Sequence, residues 1–143
     1  MKSSNILINK IKEFEGFRSE AYKCPAGVWT IGYGHTAGVK RGDKISEAEA
    51  DRLLRKDLIH YEAFVESLKV SQKQEKFDAL VDFAYNLGCA ALEGSTLLKK
   101  IRACRPDSEV RAQFMRWVYS KNKKLPGLVV RRQWEADRYF NLV

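Results

Sequence analysis

Between Phe14 and Thr36 the chain reads Phe14-Glu15-Gly16-Phe17-Arg18-Ser19-Glu20-Ala21-Tyr22-Lys23-Cys24-Pro25-Ala26-Gly27-Val28-Trp29-Thr30-Ile31-Gly32-Tyr33-Gly34-His35-Thr36. Its patterning changes from helical to strand-like within that stretch. Upstream, Leu7, Ile8, Ile11 and Phe14 recur at helical spacing and Gly16 supplies a stop, so an amphipathic helix is expected from Asn5 to Glu15. Glu15 falls four positions after Ile11, inside the apolar stripe, whereas Glu13 points to the other side. Downstream, Tyr22, Val28, Trp29, Thr30, Ile31 and Tyr33 favour strands, and Pro25-Ala26-Gly27 has turn chemistry, which predicts a β-hairpin. With those three residues as the turn, Cys24 opposes Val28, and Thr30 shares their face as a diagonal neighbour. Gly32 and Gly34 continue that face without side chains.

The rest of the chain reads as helices. Ser46-Glu47-Ala48-Glu49 is a capping box, and Ala50, Leu53, Leu54, Leu58, Tyr61, Val65 and Leu68 extend an apolar stripe over roughly 20 residues, about 30 Å of helix. Ser71-Gln72-Lys73-Gln74 reads as a second box, opening a helix with Phe77, Leu80, Val81, Ala84 and Leu87 on one side and Gly88 at its end. Ser95 caps a further helix through Leu97, Leu98 and Ile101. Val110, Phe114, Trp117 and Val118 mark another after Pro106, and Pro126-Gly127 precedes a last one running to about Phe140. The far half is thus expected to be all helical. The fold class is α+β and mainly helical: a small β-hairpin lobe and a helical lobe joined by a long helix. One domain is expected over 1–143, with an N-terminal lobe at about 1–45, the linking helix at 46–68 and the helical lobe at 69–143.

A chain of 143 residues with 45% hydrophobic and 31% charged residues is long enough to bury a core without disulfides. Cys24, Cys89 and Cys104 are an odd number with no C-x-x-C pair, so free thiols are expected, with no metal site and no cofactor. No stretch approaches the ~20 apolar residues that span a bilayer, and the first residues lack the apolar core of a signal peptide. The formal charge of +8, from 26 Lys and Arg against 18 Asp and Glu, attracts polyanions without choosing between nucleic acid and anionic cell wall.

A carboxylate on an apolar helix face is costly when ionised, and such a group serves as a general acid near neutral pH. The alternative for Glu15 is that it reaches water or pairs with Arg18. Cys24 is either a nucleophile or base activated by nearby cations such as Lys23, or an inert buried thiol.

The spacing from Glu15 to Cys24 to Thr30, with Trp29 to Thr36 behind it, resembles the active-site signature of the phage-type lysozymes, glycoside hydrolase family 24. Phe77 to Gly88, Gly94-Ser95-Thr96-Leu97-Leu98 and Pro126 to Arg132 match further motifs in family order. The resemblance implies a two-lobed lysozyme-like fold in which Glu15 protonates the glycosidic oxygen. Cys24 and Thr30 would lie on the hairpin across the cleft, where the family usually has Asp and in some members Cys. Thr30 would hold a water, and Gly32 and Gly34 would let sugar rings approach backbone, the alternative for either glycine being hairpin twist alone. Tyr85 and Asn86 would line the far wall, with core packing the alternative for Tyr85; Arg131 and Arg132 would meet anionic groups or else pair with Glu135 one turn on; and His35 would tie the hairpin to its helix.

The implied substrate is peptidoglycan glycan, cut at the β-1,4 bond between N-acetylmuramic acid and N-acetylglucosamine. Because position 24 is not a carboxylate, lytic transglycosylation of the same bond is an alternative, as is a wall-binding module without catalysis. The basic residues are scattered through every helix, so no nucleic-acid partner is expected, nor stable membrane insertion, and the chain is expected to be a monomer. As a phage or prophage endolysin it would wait in the host cytoplasm until a membrane pore releases it to the wall in the periplasm.

Overall fold

A computed structural model describes residues 1–143. In chain order the elements are α1 (Asn5–Glu15), β1 (Arg18–Lys23), β2 (Trp29–Gly32), α2 (Glu47–Leu68), α3 (Gln74–Leu87), α4 (Cys89–Glu93), α5 (Thr96–Arg102), α6 (Asp107–Phe114), β3 (Tyr119–Ser120), β4 (Lys123–Lys124) and α7 (Pro126–Tyr139). The fold is mostly helical with two small antiparallel sheets. It divides into two compact units, one of Asn5–His60, the other of Met1–Ser4 with Tyr61–Val143. The division falls inside α2, between His60 and Tyr61, so the long helix contributes a stretch to each unit.

In the unit Asn5–His60, α1 buries Leu7, Ile8 and Ile11, and α2 buries Ala50, Leu54 and Leu58. Ser46 caps α2 by accepting the Glu49 N–H at 3.1 Å, as the capping box requires. The hairpin pairs Lys23 with Trp29, Tyr22 with Thr30, and Arg18 with Gly32, with a bulge on β1 between Arg18 and Tyr22. Its tip is closed by Cys24 N–H donating to Val28 O at 2.9 Å and Gly27 N–H donating to Cys24 O at 2.8 Å. Cys24 therefore opposes Val28, as the turn chemistry predicts. A third segment runs along the other side of β1, with Ala21 N–H bonded to Asp43 O and Ile45 N–H to Ser19 O, both at 2.9 Å.

In the other unit α3 and α7 form the main packed pair. From Phe77 to Ala84 every residue of α3 is buried, Asp78 and Asp82 included. A one-sided stripe with those carboxylates in solvent is therefore not what forms. Arg138 of α7 reaches Asp78 Oδ2 through Nε at 3.1 Å and Nη2 at 2.8 Å, and Arg131 pairs with both Asp82 oxygens at 3.0 and 2.8 Å. Buried carboxylates are tolerated because each meets a guanidinium. Asp78 also accepts the Ser4 N–H at 3.1 Å and the Ser4 hydroxyl at 2.5 Å, which fixes the first residues of the chain to this unit.

Three local features depart from the sequence pattern. Ser71 does not cap α3: the helix starts at Gln74 with Lys73 at the cap position and no side-chain cap. Gln74 does not complete a box either, because its amide donates to Lys2 O and to Asp78 Oδ1, both at 2.8 Å. The helix marked by Val110 stops at Phe114, leaving Trp117 and Val118 outside it. Finally, the far half is not all helical, since Tyr119–Ser120 and Lys123–Lys124 pair as a hairpin. Ser95 does cap α5, accepting the Leu98 N–H at 3.0 Å.

Candidate active site

Glu15 is the last residue of α1 and is half-buried, while Glu13 is exposed and bonded to Lys10 at 3.3 Å. The helix closes on Gly16, whose N–H donates to Lys12 O at 2.9 Å and whose φ of +70° belongs to the left-handed region. That conformation costs glycine nothing sterically and turns the chain into β1 at once. The acid and the hairpin are consecutive pieces of one unit. The Arg18 guanidinium lies over the Tyr22 ring, 4.1 Å from its centroid.

On the hairpin, the register brings the half-buried Cys24 thiol and the buried Thr30 hydroxyl together. The backbone N–H groups of Val28 and Ala26 hold the Cys24 pKa below that of an ordinary thiol against the opposing effect of desolvation, and the Thr30 hydroxyl adds a lesser lowering. The expectation that a cation such as Lys23 would do this is replaced by turn geometry: the Lys23 ammonium sits over the Trp29 ring at 5.5 Å. Thr30 has a single proton to share, and its Oγ1 lies 3.0 Å from Val28 O. Ionising Cys24 favours turning that proton toward the sulfur.

Gly32 has φ +64°, and a Cβ there would meet Ala50 Cβ and Ile45 Cδ1, each at 3.1 Å. Its missing side chain makes room for α2 and not for a sugar, which corrects its assignment as a surface for substrate. Gly34, with φ +90°, is half-buried. His35 exchanges both backbone hydrogen bonds with Ile31 at 2.9 Å, and its Nδ1 lies 2.7 Å from Asp57 Oδ2 on α2. The hairpin is thereby tied to the helix, as expected of His35. Asp57 was not legible as its partner because nothing local marks a pairing 22 residues away.

The other candidates, Tyr85, Asn86 and Arg131, belong to the second unit. Tyr85 is half-buried and stacked on Tyr61, with ring centroids 5.3 Å apart. Asn86 is half-buried and its Oδ1 accepts from Arg132 Nη2 at 2.7 Å, leaving its amide N–H groups pointing away from that bond. Arg131 is only 5% exposed, and its two-pronged bond to Asp82 gives it a structural task in place of the anion contact expected of it. Arg132 Nε in turn lies 2.7 Å from Glu135 Oε1. Burial pushes the Glu135 carboxyl well above its ordinary value, reinforced by a hydrogen bond and the charge of Asp82, and opposed by Arg132 and Arg131. Burial also acts to raise Asp82, but Arg131, the Glu135 hydrogen bond and Arg132 outweigh it and hold Asp82 ionised. Of the two carboxyls, Glu135 is therefore the one that holds a proton to the higher pH. The Arg132–Glu135 spacing of three residues was the only sequence signal for this cluster.

The phage lysozyme family model matches residues 12–135, a span that includes Glu15, Cys24 and Thr30. The chain belongs to the phage lysozyme family. It is 42% identical over 130 residues to an endolysin of Acyrthosiphon pisum secondary endosymbiont phage 1, covering 87% of this chain and 88% of that one. An endolysin of Bacillus phage B103 is 43% identical across 97% of this chain, which spans 54% of that longer protein. Among solved structures, the muramidase domain of SpmX from Asticaccaulis excentricus superposes with a TM-score of 0.88 at 34% identity, covering 96% of this chain and 97% of that chain.

Proposed function

We propose that this chain lyses bacterial cell walls by hydrolysing the β-1,4 bond between N-acetylmuramic acid and N-acetylglucosamine, with Glu15 as the general acid. Membership of the phage lysozyme family makes it a peptidoglycan-cleaving glycoside hydrolase. The observation that supports the residue assignment is the hairpin register, which sets a thiol of lowered pKa beside a hydroxyl in the same unit as a half-buried carboxyl. Breaking the bond requires a proton on the leaving oxygen and a second group to stabilise, attack or hydrate the oxocarbenium-like carbon. Glu15 supplies the proton. Thr30 orients a water and Cys24, as thiolate, takes that water's proton or bonds to the sugar carbon. Gly34 lets substrate approach backbone, Tyr85 offers a ring face to a sugar, and the Asn86 amide donates to its substituents.

The absence of a carboxylate at position 24 supports a second reading, lytic transglycosylation, in which the sugar's own hydroxyl closes on the reactive carbon. Product masses separate the two, since hydrolysis adds a water and transglycosylation leaves an anhydro end. The proposed partner is the glycan alone, without nucleic acid, and the proposed state is a monomer. No helix is long and apolar enough to cross a membrane, and the proposed route to the wall is release from the host cytoplasm through a membrane pore, read by fractionating host cells before and after pore formation. Turbidity loss of permeabilised Gram-negative cells tests the catalytic assignment. Glu15→Gln is expected to lose at least about a hundredfold in rate with an unchanged melting temperature, and Cys24→Ala is expected to lose less. Lysis by Glu15→Gln at the wild-type rate would falsify the role of Glu15.

A further inference from the structure

Between Glu109 and Glu135 the chain has no Asp or Glu, and the β3–β4 hairpin lies in that interval. Tyr119, Ser120, Lys121, Asn122, Lys123 and Lys124 are all exposed, as is Arg116 just before them. Other cations are paired: Lys100 and Arg105 share Glu109 at 3.0 and 2.8 Å, and Arg111 meets Asp137 at 2.9 Å. Arg116, Lys121, Lys123 and Lys124 have no such carboxylate.

The turn is built against local preference. Lys121 and Asn122 have φ of 50° and 63°, the left-handed pair of a two-residue hairpin turn. Asparagine tolerates that region, whereas lysine is disfavoured there and glycine is the favoured residue. A strained position that spends its side chain on an unpaired charge points to a use for the charge. The hairpin is also held firmly at its base, by Leu125 N–H donating to Val118 O at 3.0 Å and by Arg132 Nη1 donating to Trp117 O at 3.4 Å. It is a fixed platform.

We infer that this hairpin, with Arg116, binds the carboxylates of the peptides attached to cell-wall glycan. The inference rests on the muramidase reading for its choice of ligand. Three of the four cations are lysines, which act as separate point charges and lack the fork that arginine offers to a phosphate. Strands of two residues span about 7 Å, a length suited to a short peptide. A polymer of regularly spaced phosphates or a membrane face would engage a longer surface. Tyr119, 60% exposed at the hairpin's base, adds an amphipathic contact suited to a peptide stem.

The test uses the variant Lys121→Gln/Lys123→Gln/Lys124→Gln and insoluble peptidoglycan in two forms, native and with its carboxylates amidated. On native material KM is expected to rise roughly five- to tenfold with kcat unchanged, an effect that fades as salt screens it. On amidated material the variant and the wild type should match. Co-sedimentation with the same two materials reads binding without turnover, so a wild type that pelleted only with native wall but released no glycan would sink the muramidase reading and leave this one standing. Lys121→Gly, which relieves the turn, should melt at a higher temperature and still bind native wall more weakly. Equal binding by wild type and triple variant, a deficit that persists on amidated wall, or capture by anionic lipid vesicles without capture by wall would each overturn the inference.

Discussion

The two units treat carboxyl groups in opposite ways. In the unit containing α3 and α7, Asp78, Asp82 and Glu135 have no exposure at all, and every one is matched to a guanidinium of α7. In the unit containing α1 and the hairpin, Glu15 is half-buried and ends its helix, and the buried ionic pairs of α7 have no counterpart among its charged residues. Burial with a guanidinium alongside holds helices together. Partial burial keeps a carboxyl within reach of solvent, which a proton donor to substrate requires. Similar chemistry therefore makes structure in one unit and a candidate mechanism in the other.

The sharpest way to break this contrast is to remove one partner of a compensated pair. Arg131→Met leaves Asp82 buried and charged, and the loss of stability is expected to be about 3–5 kcal/mol, seen in denaturant unfolding. Adding Asp82→Leu should recover much of that loss, because an apolar pair of similar volume replaces two desolvated charges. If Arg131→Met instead kept its stability and lost only substrate affinity, the arginine would belong to the site after all. A middle-sized effect is expected from Gly32→Ala, which combines a left-handed φ with Cβ contacts of 3.1 Å. It should cost about 1–3 kcal/mol while leaving turnover per folded molecule nearly unchanged.

The smallest effect concerns the proton on Glu135. Its folded pKa is raised above the ordinary 4.5, so the folded state keeps the proton where the unfolded chain has released it. The stability linked to this group is complete below pH 4.5 and declines as pH rises toward the folded value. Asp82 works in the other direction, with its contribution present above pH 3.8 and lost as pH falls through its lowered folded value. Glu135→Gln should therefore flatten the fall of melting temperature with rising pH and leave the acid limb in place. A wild-type and variant profile of equal slope above pH 4.5 would put the proton elsewhere.

The legible parts of the fold were those written in local chemistry. The α1 stripe, the Ser46 and Ser95 caps and the Pro25-Ala26-Gly27 turn each lie within a few residues of what they specify, and the turn fixed the Cys24–Val28 opposition without any long-range information. The Asp78 and Asp82 pairs were not legible, because their guanidinium partners arrive from 60 and 49 residues away and periodicity alone assigns a carboxylate to water. The β3–β4 hairpin escaped because its strands are two residues long and its turn has no glycine. Ser71 misled because a matching spacing is not a cap: the helix starts three residues later, at Gln74, with Lys73 at the cap position. At the proposed site, Glu15, Cys24 and Thr30 were singled out by a spacing that resembles the family signature. The cause of the thiol's lowered pKa did not, since backbone N–H direction is set by the turn and not by residue type.

The Asp78 carboxylate has a further consequence, for the order in which the molecule comes together. It accepts from Ser4 near the start of the chain and from Arg138 near its end, and the Arg138 guanidinium also donates to Val143 O at 2.8 Å. On a ribosome adding about 5–20 residues each second, Ser4 and Asp78 wait several seconds for Arg138 before the carboxylate is neutralised. Contacts this distant in sequence are slow to close. Docking of the N-terminal segment is thus a late event in biosynthesis, timed by the arrival of α7.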